Sequence, residues 1–148
     1  MAKPAVTVRR IVDSLGGRRV LRRRPPSLDA LRERLRKGLP YAALESVAAR
    51  FGLTPPELVV LLALAPRTLA WRKAEQRLRA NESDRLLRVA RIAALTEEVL
   101  GSTDKARRWL HSPNRALGSR APLELLDTDL GVRQVDELLA RIAHGVHS

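Results

Sequence analysis

Few side chains in this sequence are able to do covalent chemistry, and many are able to hold an anion. Histidines stand at 111, 144 and 147, there is no cysteine, and 28 Lys/Arg outnumber 16 Asp/Glu. Without a thiol there is no sulfur nucleophile and no disulfide framework. His144 and His147 would share a helix face only if the helix ran through Gly145, and no Cys or carboxylate set completes a metal site beside them. Neither a phosphate-cradling glycine loop nor a metalloprotease helix motif is present. The expectation is therefore no catalytic residue, no metal, no cofactor and no enzyme. What remains is a binding module rich in arginine, whose planar fork suits phosphates and base edges.

That charge is unevenly placed. Residues 1–90 hold 20 Lys/Arg against 8 Asp/Glu, whereas residues 91–148 hold 8 against 8, so the net +12 belongs to the first part. A polyanion partner for the basic part and a protein partner for the neutral part is the simplest account. Residues 1–26 carry Arg9, Arg10, Arg18, Arg19, Arg22, Arg23 and Arg24, interrupted by Gly16-Gly17 and closed by Pro25-Pro26. They read as a flexible basic arm that adds salt-dependent phosphate contacts. RNA binding by this arm lacks an aromatic stacking platform to support it.

The elements that must position these groups are helices. Apolar residues make up 45% but aromatics only 3%, so Leu, Ala and Val must fill closely packed helical layers. Ser27 caps a helix over residues 28–37, with Leu28, Leu31 and Leu35 on one face. A second helix spans 41–51 and stops at Gly52. Thr54-Pro-Pro-Glu57 is a capping box opening a third helix through about Leu64, and Pro66 opens a fourth over Arg67 to about Leu78. The longest apolar run, Leu58 to Ala65, is too short for a bilayer, and the N-terminus lacks a signal-like apolar segment. A cytoplasmic protein without a membrane partner is expected.

Short helices with tight turns describe a helix-turn-helix, here assigned to residues 27–80. Two registers fit: Ala48, Gly52 and Leu58, or Val59, Ala63 and Leu69. In the second, Leu69, Ala70, Ala74 and Leu78 would face the core. Arg67, Thr68, Arg72, Lys73 and Gln76 would then meet DNA, with Arg and Gln on base edges and Arg67 and Lys73 on phosphates. Trp71 is expected to pack between helices.

Residues 81–100 read as a connecting helix capped by Asn81. It carries an arginine strip (Arg85, Arg88, Arg91) and apolar residues over most of the remainder, as for a helix buried on several sides or a dimer seam. Ser102 starts another helix, in which Trp109 and Leu110 anchor a small core. Asn114 caps a short turn, and Pro122 stands at a helix start. Val132, Val135, Leu139 and Ile142 then make one face of a last helix, and Gly145 ends it. Val146, His147 and the Ser148 carboxylate would project beyond.

Ordered matches in this last stretch carry a resemblance. WL-x-x-PN-x-x-LG (Trp109 to Gly118), PLELL-x-T-x-x-G-x-x-x-V (Pro122 to Val135) and L-x-RI-x-HGV-x-S (Leu139 to Ser148) resemble the toxin-binding domain of Xre/MbcA/ParS-type antitoxins. Upstream, RTL at Arg67 to Leu69 and ESDRLLR at Glu82 to Arg88 continue it, and favour the second register. Relatives more often read LGIS-x-RTL-x-RR where this chain has LALAPRTLAWR, so the turn lacks its glycine and its serine cap. Nearer the end, Ser119, Ala121, Ala143 and His147 also depart from the family's commoner residues.

The resemblance implies an all-α protein with a helix-turn-helix and, over residues 101–148, a toxin-binding domain. It implies an antitoxin that neutralises a RES-domain toxin, which breaks down NAD or uses it for ADP-ribosylation, by covering the toxin's NAD pocket. Trp109, Asn114, Leu139, Ile142, His144, Gly145, Val146, His147 and Ser148 would serve toxin binding. Operator DNA would be the second partner, in autorepression by a homodimer within a toxin–antitoxin hetero-oligomer, nucleoid-associated when bound. A stand-alone regulator or partition-type protein, its C-terminal domain only dimerising, is the rival reading.

Overall fold

The computed structural model describes residues 5–145. Helices α1 (Val8–Ser14), α2 (Gly17–Leu21), α3 (Leu28–Lys37), α4 (Tyr41–Phe51), α5 (Pro55–Leu62), α6 (Pro66–Glu75), α7 (Ala80–Leu100), α8 (Thr103–His111) and α9 (Asp129–Ala143) follow one another. Two 3₁₀ turns, Arg115–Leu117 and Pro122–Leu125, separate α8 from α9. The described residues contain no strand, only two isolated backbone bridges.

Local chemistry sets most of these boundaries. The Ser27 hydroxyl accepts the Ala30 N–H, and the hydroxyls of Ser102 and Thr128 accept those of Lys105 and Gly131. Each satisfies an amide that the helix itself cannot. Thr54 and Glu57 cap each other reciprocally at the start of α5. That helix stops at Leu62, short of Leu64, because Ala63 turns left-handed (φ 54°, ψ 47°). Likewise α6 stops at Glu75, short of Leu78, because Gln76 turns left-handed. Asn81 is not the cap of α7. Arg79 holds that place, and the Glu82 carboxylate accepts the Arg79 N–H at 2.8 Å.

The 21-residue α7 is the axis of the molecule, with α1, α3, α4, α5, α8 and α9 packed on it. Its Leu86, Val89, Ala90, Ile92, Ala93 and Leu95 are buried in a single apolar cluster that runs from Ile11 to Leu139. The three segments read as separate units thus share one core. Glu97, buried on α7, accepts two hydrogen bonds from Arg50 of α4 (3.0 and 3.1 Å) and one from the Thr103 hydroxyl of α8. Three helices are pinned by one carboxylate.

Two expectations fail here. The stretch read as a flexible arm forms α1 and α2, with Ile11, Val12, Leu15 and Leu21 buried against the core. Val8, Ile11, Val12 and Leu15 follow helical spacing behind the N-cap Thr7, and this apolar stripe outweighs the arginines beside it. Leu28, placed on the core face of α3, is instead exposed, because nothing packs over the first turn of that helix. Only Leu31 of the expected face is buried, with Leu35 half-buried.

Candidate DNA-facing and partner-facing surfaces

Both candidate helix-turn-helix registers have the right local geometry. Gly52 between α4 and α5, and Ala63 between α5 and α6, each adopt the left-handed conformation the turn requires. Alanine does so at a cost of about 1 kcal/mol that glycine avoids. Exposure separates the two. Leu58, Leu61 and Leu62 of α5 are buried, whereas α6 buries Leu69 alone. Helix α6 is the element of the trio with a free face.

That face differs from the expected one. Arg67, Ala70, Trp71, Lys73 and Ala74 are exposed, and Thr68 is half-buried. Ala70 and Ala74 therefore do not face the core. Trp71, expected between helices, is 55% exposed, because no element crosses the outer side of α6. Leu78, beyond the end of α6, is buried as expected.

Arg72 is not free to meet a ligand. Its Nε lies 2.8 and 3.1 Å from the two Glu82 carboxylate oxygens, and its Nη1 lies 3.4 Å from Glu75. Glu82 is almost fully buried, so the pair clamps α6 to α7. Burial by itself would raise the Glu82 pKa. Hydrogen bonds from Arg72 and the Arg79 N–H, with the arginine charges, outweigh it and hold the carboxyl below its ordinary value. The same contacts raise the Arg72 pKa. The Gln76 side chain folds back to donate to the Lys73 carbonyl (2.6 Å). Of the five residues assigned to DNA, the structure leaves Arg67 and Lys73 outward and without an ion-pair partner among the described residues. Glu82 was the missed residue. Its only sequence signal was an acid at the third position of a helix, ten residues after an arginine.

At the other end, α9 buries Val132, Val135, Leu138 and Leu139 and half-buries Ile142. Leu139 is fully enclosed, so it supports the surface and is not part of it, a correction to its assignment as a contact residue. Trp109 is half-buried against the core, and Asn114 caps the first 3₁₀ turn by accepting the Ala116 N–H at 3.0 Å. His144 caps α9, and Gly145 follows in the left-handed conformation (φ 73°), as expected. Val146, His147 and Ser148 lie outside the described residues. His111 sits apart from His144, near Glu57 of α5 (3.4 Å). Among the described residues no group of three or more His, Cys, Asp or Glu is placed to hold a metal. No helix there is long and apolar enough to cross a membrane.

An all-helical binding protein, with one helix-turn-helix end and one small helical end fused on α7, is the class that this architecture defines. A family model described as the antitoxin Xre-like helix-turn-helix domain matches residues 30–91. A second, the antitoxin Xre/MbcA/ParS C-terminal toxin-binding domain, matches residues 95–145. Antitoxin Xre of Pseudomonas putida is 39% identical over 113 residues, covering 76% of this chain and 70% of that protein. The mycobacterial cidal antitoxin MbcA of Mycobacterium tuberculosis is 34% identical over 98 residues, covering 66% of this chain and 85% of its own. A crystal structure of the M. tuberculosis MbcT–MbcA toxin–antitoxin complex contains a chain that superposes with a TM-score of 0.55 at 34% identity, covering 71% of this chain and 94% of that one. The chain belongs to the Xre/MbcA/ParS antitoxin family, whose members are the antitoxin halves of toxin–antitoxin pairs.

Proposed function

We propose that this chain neutralises a RES-domain toxin by covering the toxin's NAD pocket with its C-terminal end, and represses its own operon through α6 as a dimer in the cytoplasm. Residues 101–145 and those after them take the toxin side, and the basic helices take the DNA side. The observation that carries the toxin reading is the end of α9. Leu139 and Ile142 seat the helix, His144 and Gly145 stand at its exit, and the match to a toxin-binding domain ends at that glycine. A turn there aims the following residues away from the helix axis, so they can enter a partner's cleft.

Deleting Val146 to Ser148 should abolish protection against the co-expressed toxin while leaving the melting temperature unchanged. Leu139→Ala should do the reverse first, costing about 3 kcal/mol of stability through the cavity it leaves. Undiminished protection by the truncated chain would remove the pocket-plug reading, leaving steric cover by the whole domain.

For DNA, the supporting observation is the free outer side of α6, with Arg67 at its start and Lys73 near its end. Arg67→Gln and Lys73→Gln should each lower the salt slope of duplex binding by about 1, as expected for one lost phosphate contact. Anisotropy titrations at several salt concentrations measure this. An unchanged slope in both would move DNA contact away from α6.

A further inference from the structure

Helices α1 and α2 lie outside the residues matched by either family model, yet they bring most of the chain's unpaired positive charge to one place. Arg18, Arg22, Arg23 and Arg24 line one concave surface, and Arg22, Arg34, Lys37 and Arg77 line an adjoining cleft floored by Leu21, Leu39 and Pro40. Arg22 belongs to both, so the two form one track. Some of these cations are spent on building it. Arg24 pairs with Asp13 at 2.6 Å, Arg34 donates to the carbonyls of Leu21 and Arg23 (2.9 Å each), and Arg77 donates to that of Gly38 (2.7 Å). Arg18, Arg22, Arg23 and Lys37 remain exposed, with no ion pair to any described acid.

Arg22 is also strained. It ends α2 at φ 63°, ψ −48°, inside a three-residue turn closed by the Arg23 N–H on the Leu21 carbonyl (2.7 Å). Glycine adopts positive φ freely and arginine resists it. A cation held in such a turn, where glycine would fit better, suggests that its side chain is used.

The cleft adjoins α6. Arg77 directly follows Gln76, the C-cap of α6, and the backbone bridge from Pro40 to Arg77 fastens the end of α3 to that point. Arg67 opens α6 at one end and the cleft begins at the other. We infer that the α2–α3 cleft is a second DNA-contact surface, gripping duplex phosphates beside the segment presented to α6. This rests on the reading of α6 as the DNA-facing helix. Duplex DNA fits better than single-stranded nucleic acid because no aromatic ring lines the cleft to stack a base.

The test uses the full chain and two duplexes of equal length, one of mixed sequence and one taken from upstream of its own gene, titrated over a range of salt. The variant Arg18→Gln/Arg22→Gly/Lys37→Gln should lose about 2 to 3 from the salt slope on both duplexes, at roughly 0.9 per contact. Its melting temperature should not fall, because Arg22→Gly relaxes the turn; the single Arg22→Gly variant, expected to lose about 0.9, repeats the measurement with least disturbance. Arg67→Gln tests α6 separately, through discrimination between the two duplexes. A slope that drops in the cleft variant while Arg67→Gln changes nothing supports the cleft and removes the α6 reading. An unchanged slope in the folded cleft variants, no binding of either duplex by the parent chain, or loss of toxin capture in place of DNA binding overturns the proposal.

Discussion

Glu82→Ala is expected to lower the melting temperature by roughly 10 °C, from a loss of about 3 to 5 kcal/mol, and to weaken duplex binding with it. The change removes three things together. Arg72 is left mostly buried with only Glu75 near it, the Arg79 N–H loses its acceptor, and α6 loses its clamp to α7. An uncompensated charge inside a protein accounts for most of the cost, since burying a charge is tolerable only when it is paired. The double variant Arg72→Met/Glu82→Leu, which removes both charges and keeps volume, should recover much of the stability. If the double variant were as unstable as the single, the unpaired charge could not be the cause.

The same pair sets an acid limit. The Glu82 carboxyl is held below its ordinary value in the folded chain, so the pair stabilises fully above the unfolded carboxylate pKa, about 4.3. That contribution is lost as pH falls through the lower folded value. Denaturant midpoints at pH 6 and pH 3 should therefore differ more in the parent chain than in Glu82→Gln.

Gly131→Ala is expected to disrupt the C-terminal end by roughly 3 kcal/mol, although alanine is the better helix former by about 1 kcal/mol. Gly131 lies in the first turn of α9, where the second 3₁₀ turn crosses closest. A Cβ there would stand 2.7 Å from the Leu125 carbonyl carbon and closer still to its oxygen. Backbone cannot swing aside as a side chain can, so α9 and the Pro122–Leu125 turn must part. The T-x-x-G spacing thus has two physical parts: Thr128 caps the helix, accepting the Gly131 N–H at 3.0 Å, and Gly131 lets it approach. Thr128→Ala should cost only about 1 kcal/mol, the value of a cap. Thermal melts order the two, and hydrogen exchange should show the α9 amides opening selectively in Gly131→Ala. Equal stability of Gly131→Ala and the parent would mean the approach is not close in solution.

Much of the fold was legible because helix caps and stops are local. Ser27, the Thr54–Glu57 box, Ser102 and Asn114 each bond an amide two or three residues ahead, and all four were readable as starts. The glycine stops at 52, 101 and 145 were readable for the same reason: a left-handed backbone is a property of one residue. The errors share a different origin. Leu28, Ala70, Trp71 and Ala74 sit on exposed helix surface, and Leu139 inside the core, because of which remote element covers each turn. Arginine density in residues 9–24 hid an apolar stripe that needed only α7 and α4 to bury it.

The sequence alone determined that this chain is helical, where its helices begin and end, that its charge is lopsided, and which family motifs its last forty residues carry. These follow from bonds and propensities spanning a few residues. The tertiary structure alone decided that Arg72 belongs to Glu82 and not to a ligand, that α6 keeps a free face, and that the arginines of α2 meet Lys37 and Arg77 in one cleft. Those outcomes depend on which side chains long-range packing brings within a hydrogen bond of each other, and no spacing along the chain encodes that distance.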